Sequence, residues 1–329
     1  METERPSPRY SGIDAWDPSD ILDAMIEGQF AAVAAVRTAR PSIEQAALAM
    51  AARLKLGGRL IYAGAGTSGR LAVQDGAELV PTFNWPRERL LLLMAGGRDA
   101  LLQSIEGAED AVEQSRALVQ QHAVGADDVL IAVAASDSTP FTLSCLREAK
   151  TRGALTVGIA NNRSTPILTE ADHPIWLDTG AEPIAGSTRM KAATAQRVVL
   201  TLLSSLVMIL LGRVFEGLMV EMRGANKKLA RRSENILMQL SGRRRDTVRM
   251  ALNTAGGDLK LALLLLHGLK REEAIDVLRR SGGQLRQALS LIGKPGLEPS
   301  SAKAAASTTA PGTDDALVKA DDRGARAKR

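Results

Sequence analysis

Short apolar runs at residues 59–63, 90–94, 129–134, 155–160 and 174–177 alternate with stretches of helical periodicity, and this alternation leaves few architectures open. A run that is apolar throughout, instead of at every second position, belongs to a strand buried on both faces. Strands of that kind separated by helices imply an α/β fold, a doubly wound and mostly parallel sheet. Helical patterns precede the first strand at about 19–39, opened by Ser19 as N-cap and closed before Pro41, and at about 42–56. A further long helix is expected over 187–211, where the pattern stays apolar with no Gly or Pro inside it.

The ends of the chain differ from this middle. Residues 1–17 are polar and proline-bearing, an arm without a core of its own. From 226 to 292 the pattern is helical throughout, punctuated by Gly256-Gly257, Gly268 and Gly282-Gly283, and three helices of about ten to twelve residues would fit there. The expected division is therefore an arm at 1–17, a sheet domain at 18–225, a small helical C-terminal domain at 226–295 and a disordered tail at 296–329, where periodicity stops after Lys294-Pro295.

Composition removes several classes of function. A single cysteine, Cys145, excludes an internal disulfide, and His122, His173 and His267 are too scattered for a zinc site, so no metal is expected. The net charge of +5 is spread over Arg231-Arg232, Arg243-Arg244-Arg245 and the last residues, and only 3% of residues are aromatic, which suits solvated helix faces better than nucleic acid. No uncharged run of 18 apolar residues occurs and METERPSPRY lacks a signal pattern, so a soluble cytoplasmic protein with no membrane partner is expected.

The strongest local signal is Leu60-Ile61-Tyr62-Ala63-Gly64-Ala65-Gly66-Thr67-Ser68-Gly69-Arg70, a strand running through a glycine loop into a helix. Glycines let the backbone approach an anion, the helix start offers free N–H groups, and Thr67 and Ser68 add hydroxyls. Gly64, Gly66 and Gly69 also fit the dinucleotide pattern, but the next strand is followed by Ala95-Gly96-Gly97 and not by the acidic residue that pattern requires. The motif alone leaves a phosphate monoester, a dinucleotide and a tight turn open. A second strand end, Ser136-Asp137-Ser138-Thr139-Pro140, again places hydroxyls before a helix, and two such turns at one sheet edge suit a single phosphate. Plain capping of the next helix is the alternative for Ser138 and Thr139, and one hydroxyl can do both jobs. A third helix start, Glu182-Pro183-Ile184-Ala185-Gly186-Ser187-Thr188-Arg189-Met190-Lys191, brings Ser187, Thr188 and Lys191 to a position where basic residues oppose the helix dipole.

Together these segments resemble the N-acetylmuramic acid 6-phosphate etherase family. The resemblance rests on Gly64-Ala65-Gly66-Thr67-Ser68-Gly69-Arg70, Pro81-Thr82-Phe83, Glu106-Gly107-Ala108-Glu109-Asp110, Gly186-Ser187-Thr188-Arg189-Met190-Lys191-Ala192, Thr194-Ala195-Gln196, Asn226 and Lys228-Leu229. It implies a single sugar isomerase (SIS) domain with a small helical domain, a homodimer and no cofactor, and it makes Gly66, Thr67, Ser68, Ser136, Ser138, Thr139, Ser187, Thr188 and Lys191 the expected substrate- and phosphate-binding residues. It also implies two catalytic carboxylates, Glu78 as acid and Glu109 as base, and loss of D-lactate from N-acetylmuramic acid 6-phosphate by elimination and hydration. A related, non-catalytic alternative is a sugar-phosphate sensor similar to the glucokinase regulatory protein.

Two segments depart from the family pattern. The chain has Ser136-Asp137-Ser138-Thr139-Pro140 where the family carries Ser-Gly-Arg-Thr-Pro, and Gly76-Ala77-Glu78-Leu79-Val80-Pro81 where it carries Ala-Ser-Glu-Cys-Pro-Pro. Glu78 poses a problem of reach besides. One straight helix from Ser68 would carry it about 15 Å from the loop, ten residues at about 1.5 Å each. Either the helix ends early at Gly76 and the chain folds back, or Glu78 serves a neighbouring subunit.

Overall fold

The computed structural model describes residues 1–136, 139–221 and 227–294. Two helices come first, α1 (Pro18–Thr38) and α2 (Arg40–Lys55), each with a proline in its first turn, where the missing N–H costs nothing. The sheet region follows as β1 (Leu60–Gly64), α3 (Gly66–Phe83), β2 (Leu90–Met94), α4 (Val112–Gln121), β3 (Val129–Ala134), α5 (Pro140–Thr151), β4 (Leu155–Ala160), α6 (Pro166–Glu170) and β5 (His173–Trp176). All pairings in this sheet are parallel and the order is β2-β1-β3-β4-β5. The chain thus winds one way from β1 to β2 and the other way from β3 onward. The carboxyl ends of β1 and β3 flank the switch point where such sheets open a crevice. Each of the five expected strands is present.

After β5 the chain makes α7 (Lys191–Leu210), a two-stranded antiparallel ribbon of β6 (Val214–Phe215) and β7 (Leu218–Met219), and five helices: α8 (Lys227–Ser241), α9 (Arg245–Thr254), α10 (Leu259–Leu266), α11 (Arg271–Arg280) and α12 (Leu285–Leu291). Five helices replace the three expected. The cause lies in the glycines, since Gly242, Gly256, Gly257, Gly268, Gly282 and Gly283 all take positive φ and each group stops a helix that apolar spacing alone would continue. These helices close around their own apolar cluster, with Leu237, Val248, Ala262, Leu264 and Ala288 among its most buried members. The expected boundary at 225/226, Asn226 and the tail at 296–329 lie outside the described residues.

The main core has two layers, one on each face of the sheet. On one face α2, α3 and α7 cover Leu60, Tyr62, Val129, Ile131, Val157 and Ile159; on the other α4, α5 and α6 cover Ile61, Leu130 and Ala132. Among the described residues α7 is the one helix long and apolar enough to cross a membrane by length and composition, and half of that stretch is buried against α1, α2 and α3. It starts at Lys191 and not at 187, because residues 187–190 form the turn that precedes it. The polar arm packs as well: Thr3 is wholly buried and Tyr10 nearly so.

α3 runs unbroken through Gly76 to Phe83, which removes the alternative of a helix ending early. Gly76 is there for packing. A Cβ at this position would stand 2.6 Å from Leu92 and 3.1 Å from the Tyr62 ring, so its absence lets the helix lie flush on β1 and β2. One residue earlier, Asp75 accepts a 2.9 Å hydrogen bond from the Tyr62 hydroxyl and pins the same turn to the sheet.

Candidate active site

The turn from β1 into α3 is built by backbone contact. A Cβ on Gly64 would lie 2.7 Å from Gly69 Cα, and one on Gly69 would lie 2.5 Å from Met94 Sδ and 2.7 Å from the Gly64 carbonyl carbon. Strand end and first helical turn therefore touch with no side chain between them. Gly66 takes φ +53° and faces open space, and Ala65 at the cap position offers no side-chain acceptor to the first N–H groups. Those donors and the Thr67 and Ser68 side chains stand at a helix start suited to an anion.

Arg70, expected beside the phosphate loop, donates to the carbonyls of Ala100 (2.8 Å) and Gln103 (3.0 Å) and so fastens the β2–α4 connection against α3. That connection then turns at Gly107, φ +68°, into the single helical turn Ala108–Asp110 that carries Glu109. Gly66, Arg70, Met94, Ser104 and Glu109 line one cavity of about 280 Å³. Glu109 and the glycine loop are thus brought together although they lie some forty residues apart in sequence. Glu78 is not. It is exposed on the outer face of α3, about 15 Å along the helix from Ser68. Two larger cavities, of about 570 and 660 Å³, lie among α4, α5 and α6 and beside α1 and β5, away from the glycine loop.

Ser136 follows β3, whose Val133 pairs with Gly64, and so stands at the same sheet edge as the loop. Thr139 is buried at the N-cap position of α5, immediately before Pro140, without a capping bond from its side chain. Ser138 and Asp137 lie outside the described residues.

In the third segment the donors at the helix start are engaged within the fold. Glu182 reaches the start of α7 and accepts the N–H groups of Lys191 and Ala192, both at 2.9 Å, so these donors are already occupied by a carboxylate. Burial pushes the Glu182 carboxyl up, and the two N–H donors and the Lys191 charge offset only part of that. The Lys191 ammonium turns to the Thr179 carbonyl at 2.7 Å and is itself buried, which lowers its affinity for a proton against the opposing pull of Glu182. Ser187 and Thr188 stay half-exposed in the preceding turn. Two asparagines just past β4 escaped the sequence reading. Asn161 accepts from Gln196 (2.9 Å) and donates to Thr179 (3.2 Å), while Asn162 donates to the Ala135 carbonyl (2.9 Å) directly before Ser136. Paired amides at a strand end were the available signal. Among the described residues no group of three or more His, Cys, Asp or Glu is placed to hold a metal.

Residues 42–150 match the glucokinase regulatory protein N-terminal SIS domain and residues 99–206 the SIS domain. Parallel sheet, glycine loop and matches together define a SIS-domain protein. Over a longer span the chain is 46% identical to the N-acetylmuramic acid 6-phosphate etherase of Deinococcus radiodurans, covering 83% of this chain and 90% of that one. The etherases of Streptomyces coelicolor and Rubrobacter xylanophilus are 44% and 38% identical, covering 81% and 83% of this chain and 86% and 91% of theirs. The chain belongs to the N-acetylmuramic acid 6-phosphate etherase family.

Proposed function

We propose that this protein cleaves the D-lactyl ether of N-acetylmuramic acid 6-phosphate, giving N-acetylglucosamine 6-phosphate and D-lactate in the recycling of cell-wall amino sugars. Beyond family membership, the observation that carries this is the shared cavity of Glu109 and the glycine loop. Phosphate on Gly66, Thr67 and Ser68, with Ser136 and Thr139 at the same sheet edge and Ser138 as a further expected contact, would bring the sugar carbons within reach of a carboxylate on the cavity wall. An ether resists direct hydrolysis, but in the ring-opened aldehyde the C2 proton is acidic. Glu109 removes that proton, the C3–O bond breaks as Glu78 protonates the lactyl oxygen, and water adds back to C3 of the unsaturated aldehyde. Two carboxyl groups in opposite protonation states suffice for these steps.

Glu78 needs a second subunit in this scheme. The continuous α3 supports a homodimer in which Glu78 enters the partner's crevice, and exposed apolar side chains on α1 and α7 support an interface between two copies. Leu202 and Ile209 of α7 are about half exposed, and α1 presents Leu22, Ile26, Phe30 (71% exposed) and Val33 as one outward stripe. The inner side of α7 belongs to the core and its outer side suits an interface. The cytoplasm is the compartment in which such a sugar phosphate would be met.

Incubation with N-acetylmuramic acid 6-phosphate should release D-lactate, and absence of lactate would overturn the proposal. Glu109→Gln should still bind the sugar phosphate yet lose both lactate release and exchange of the C2 hydrogen with solvent. Normal exchange in that variant rejects Glu109 as base. Binding without turnover in the unaltered protein would favour a regulator of the glucokinase regulatory protein type, whose SIS domain matches residues 42–150.

A further inference from the structure

Thr3 is wholly buried although it belongs to a polar arm, and its partners come from the segments that border the crevice. Asn162, 5% exposed, lies just past β4. Its side-chain oxygen accepts the N–H of Glu2 (2.9 Å) and of Thr3 (3.4 Å), while its amide donates to Thr3 Oγ1 (2.9 Å) and to the Ala135 carbonyl (2.9 Å). An asparagine side chain has two donor hydrogens and two acceptor lone pairs, so its full capacity is used. On the far side the Thr3 carbonyl accepts the N–H of Gly186 at 3.0 Å, directly before Ser187 and Thr188. The Glu4 carboxylate rests against the same glycine, where a Cβ would stand 2.8 Å from Oε2. The arm therefore joins the end of β3, from which Ser136 continues, to the turn that leads into α7.

A fully satisfied buried polar network holds one geometry, whereas mere space-filling at this place needs only apolar groups. We propose that Asn162 is a positioning residue for Ser136, the phosphate-binding hydroxyl that follows β3, and that residues 2–4 of the arm are its clamp. Arm docking and sugar-phosphate binding are then coupled, and by linkage the coupling runs both ways: a ligand that needs Ser136 held in place also tightens the arm. The proposal rests on the reading that the glycine loop and Ser136 share the phosphate.

The test uses the full chain and four variants. Asn162→Ala removes the network; Thr3→Val keeps the side-chain shape but removes the hydroxyl; Thr3→Ser restores it; Ser68→Ala weakens the glycine loop independently. Turnover of N-acetylmuramic acid 6-phosphate, affinity for inorganic phosphate, Tm and amide exchange at Thr3 and Gly186 are measured. Asn162→Ala and Thr3→Val should raise KM and the phosphate Kd about tenfold, the scale of a buried hydrogen bond left unmade, with kcat within about twofold and Thr3→Ser close to the unaltered protein. Saturating phosphate should slow exchange at both amides. A fall in Tm with KM and phosphate Kd unchanged would reduce the network to a structural role and overturn the proposal, as would failure of Thr3→Ser to restore KM. If Ser68→Ala weakens phosphate and Asn162→Ala does not, the proposal alone fails. If Ser68→Ala has no effect, the phosphate reading fails and the proposal with it. Should Asn162→Ala not fold, the Thr3 pair and the exchange measurement decide.

Discussion

At Gly69 a single added carbon meets backbone on one side and sulfur on the other, and only the Met94 side chain can move aside. Gly69→Ala should lower stability by about 2–3 kcal/mol, the upper part of the range for overpacking, and should also abolish sugar-phosphate binding. Thermal unfolding and phosphate titration measure the two effects, and a fully stable variant would show that strand and helix do not need to touch. The sequence made the glycine loop visible as a motif but could not say why each glycine was required, because Met94 and Gly64 are neighbours only once β1 and β2 pair. Glu182 was hidden for a related reason. It caps a helix that begins nine residues later, beyond the three-residue spacing by which a capping carboxylate is recognised in a sequence. The hydroxyls of Ser187 and Thr188 and the ammonium of Lys191 were legible as chemistry, yet the direction in which Lys191 points follows from the buried carbonyl of Thr179.

The strands were legible as elements because an apolar run bounded by turn residues has few other solutions, whereas the C-terminal stretch holds more helices than its pattern suggests because every glycine break ends a helix and Gly242 adds one more break. What fastens the elements was not legible at all. At the amino end of the sheet Asp128 accepts the Arg59 backbone N–H (2.9 Å), its Nε (3.0 Å) and Nη2 (2.6 Å), and the N–H of Gly125 (3.0 Å), which joins the starts of β1 and β3. Burial alone would push the Asp128 carboxyl up, but these donors together hold it below the ordinary carboxylate range. A depressed value in the folded state means that the carboxylate stabilises the fold fully above its unfolded pKa, about 3.9, and that this contribution is lost as pH falls through the folded value. Asp128→Asn should therefore be less stable at pH 7, by about 1–3 kcal/mol on the scale of buried donors left without their acceptor, and the gap from the unaltered protein should narrow below about pH 4. Unfolding curves taken from pH 7 to pH 2 test this; a gap that stays constant would assign the effect to shape and not to charge.

For the molecule as a whole, the unbroken α3 separates the two carboxylates of one chain, and the shared-site proposal turns that separation into a test. Glu78→Gln and Glu109→Gln chains should each be inactive alone. Mixed under conditions of subunit exchange they should recover about a quarter of full activity, since random pairing makes half the dimers mixed and each mixed two-fold dimer has one intact site. No recovery with exchange verified would confine both residues to their own chain's site, and a monomer at micromolar concentration by light scattering would exclude the dimer itself. The arm adds a consequence in time. Thr3 leaves the ribosome long before Asn162 and Gly186 exist, by roughly 10–30 s at ordinary rates of synthesis, so the strand of chain that clamps the crevice has nothing to bind while the sheet assembles. Its docking is a late event in the life of each molecule. A bulky fusion ahead of residue 1 should accordingly leave the fold and its Tm intact while delaying the moment at which a newly made chain becomes able to hold its ligand.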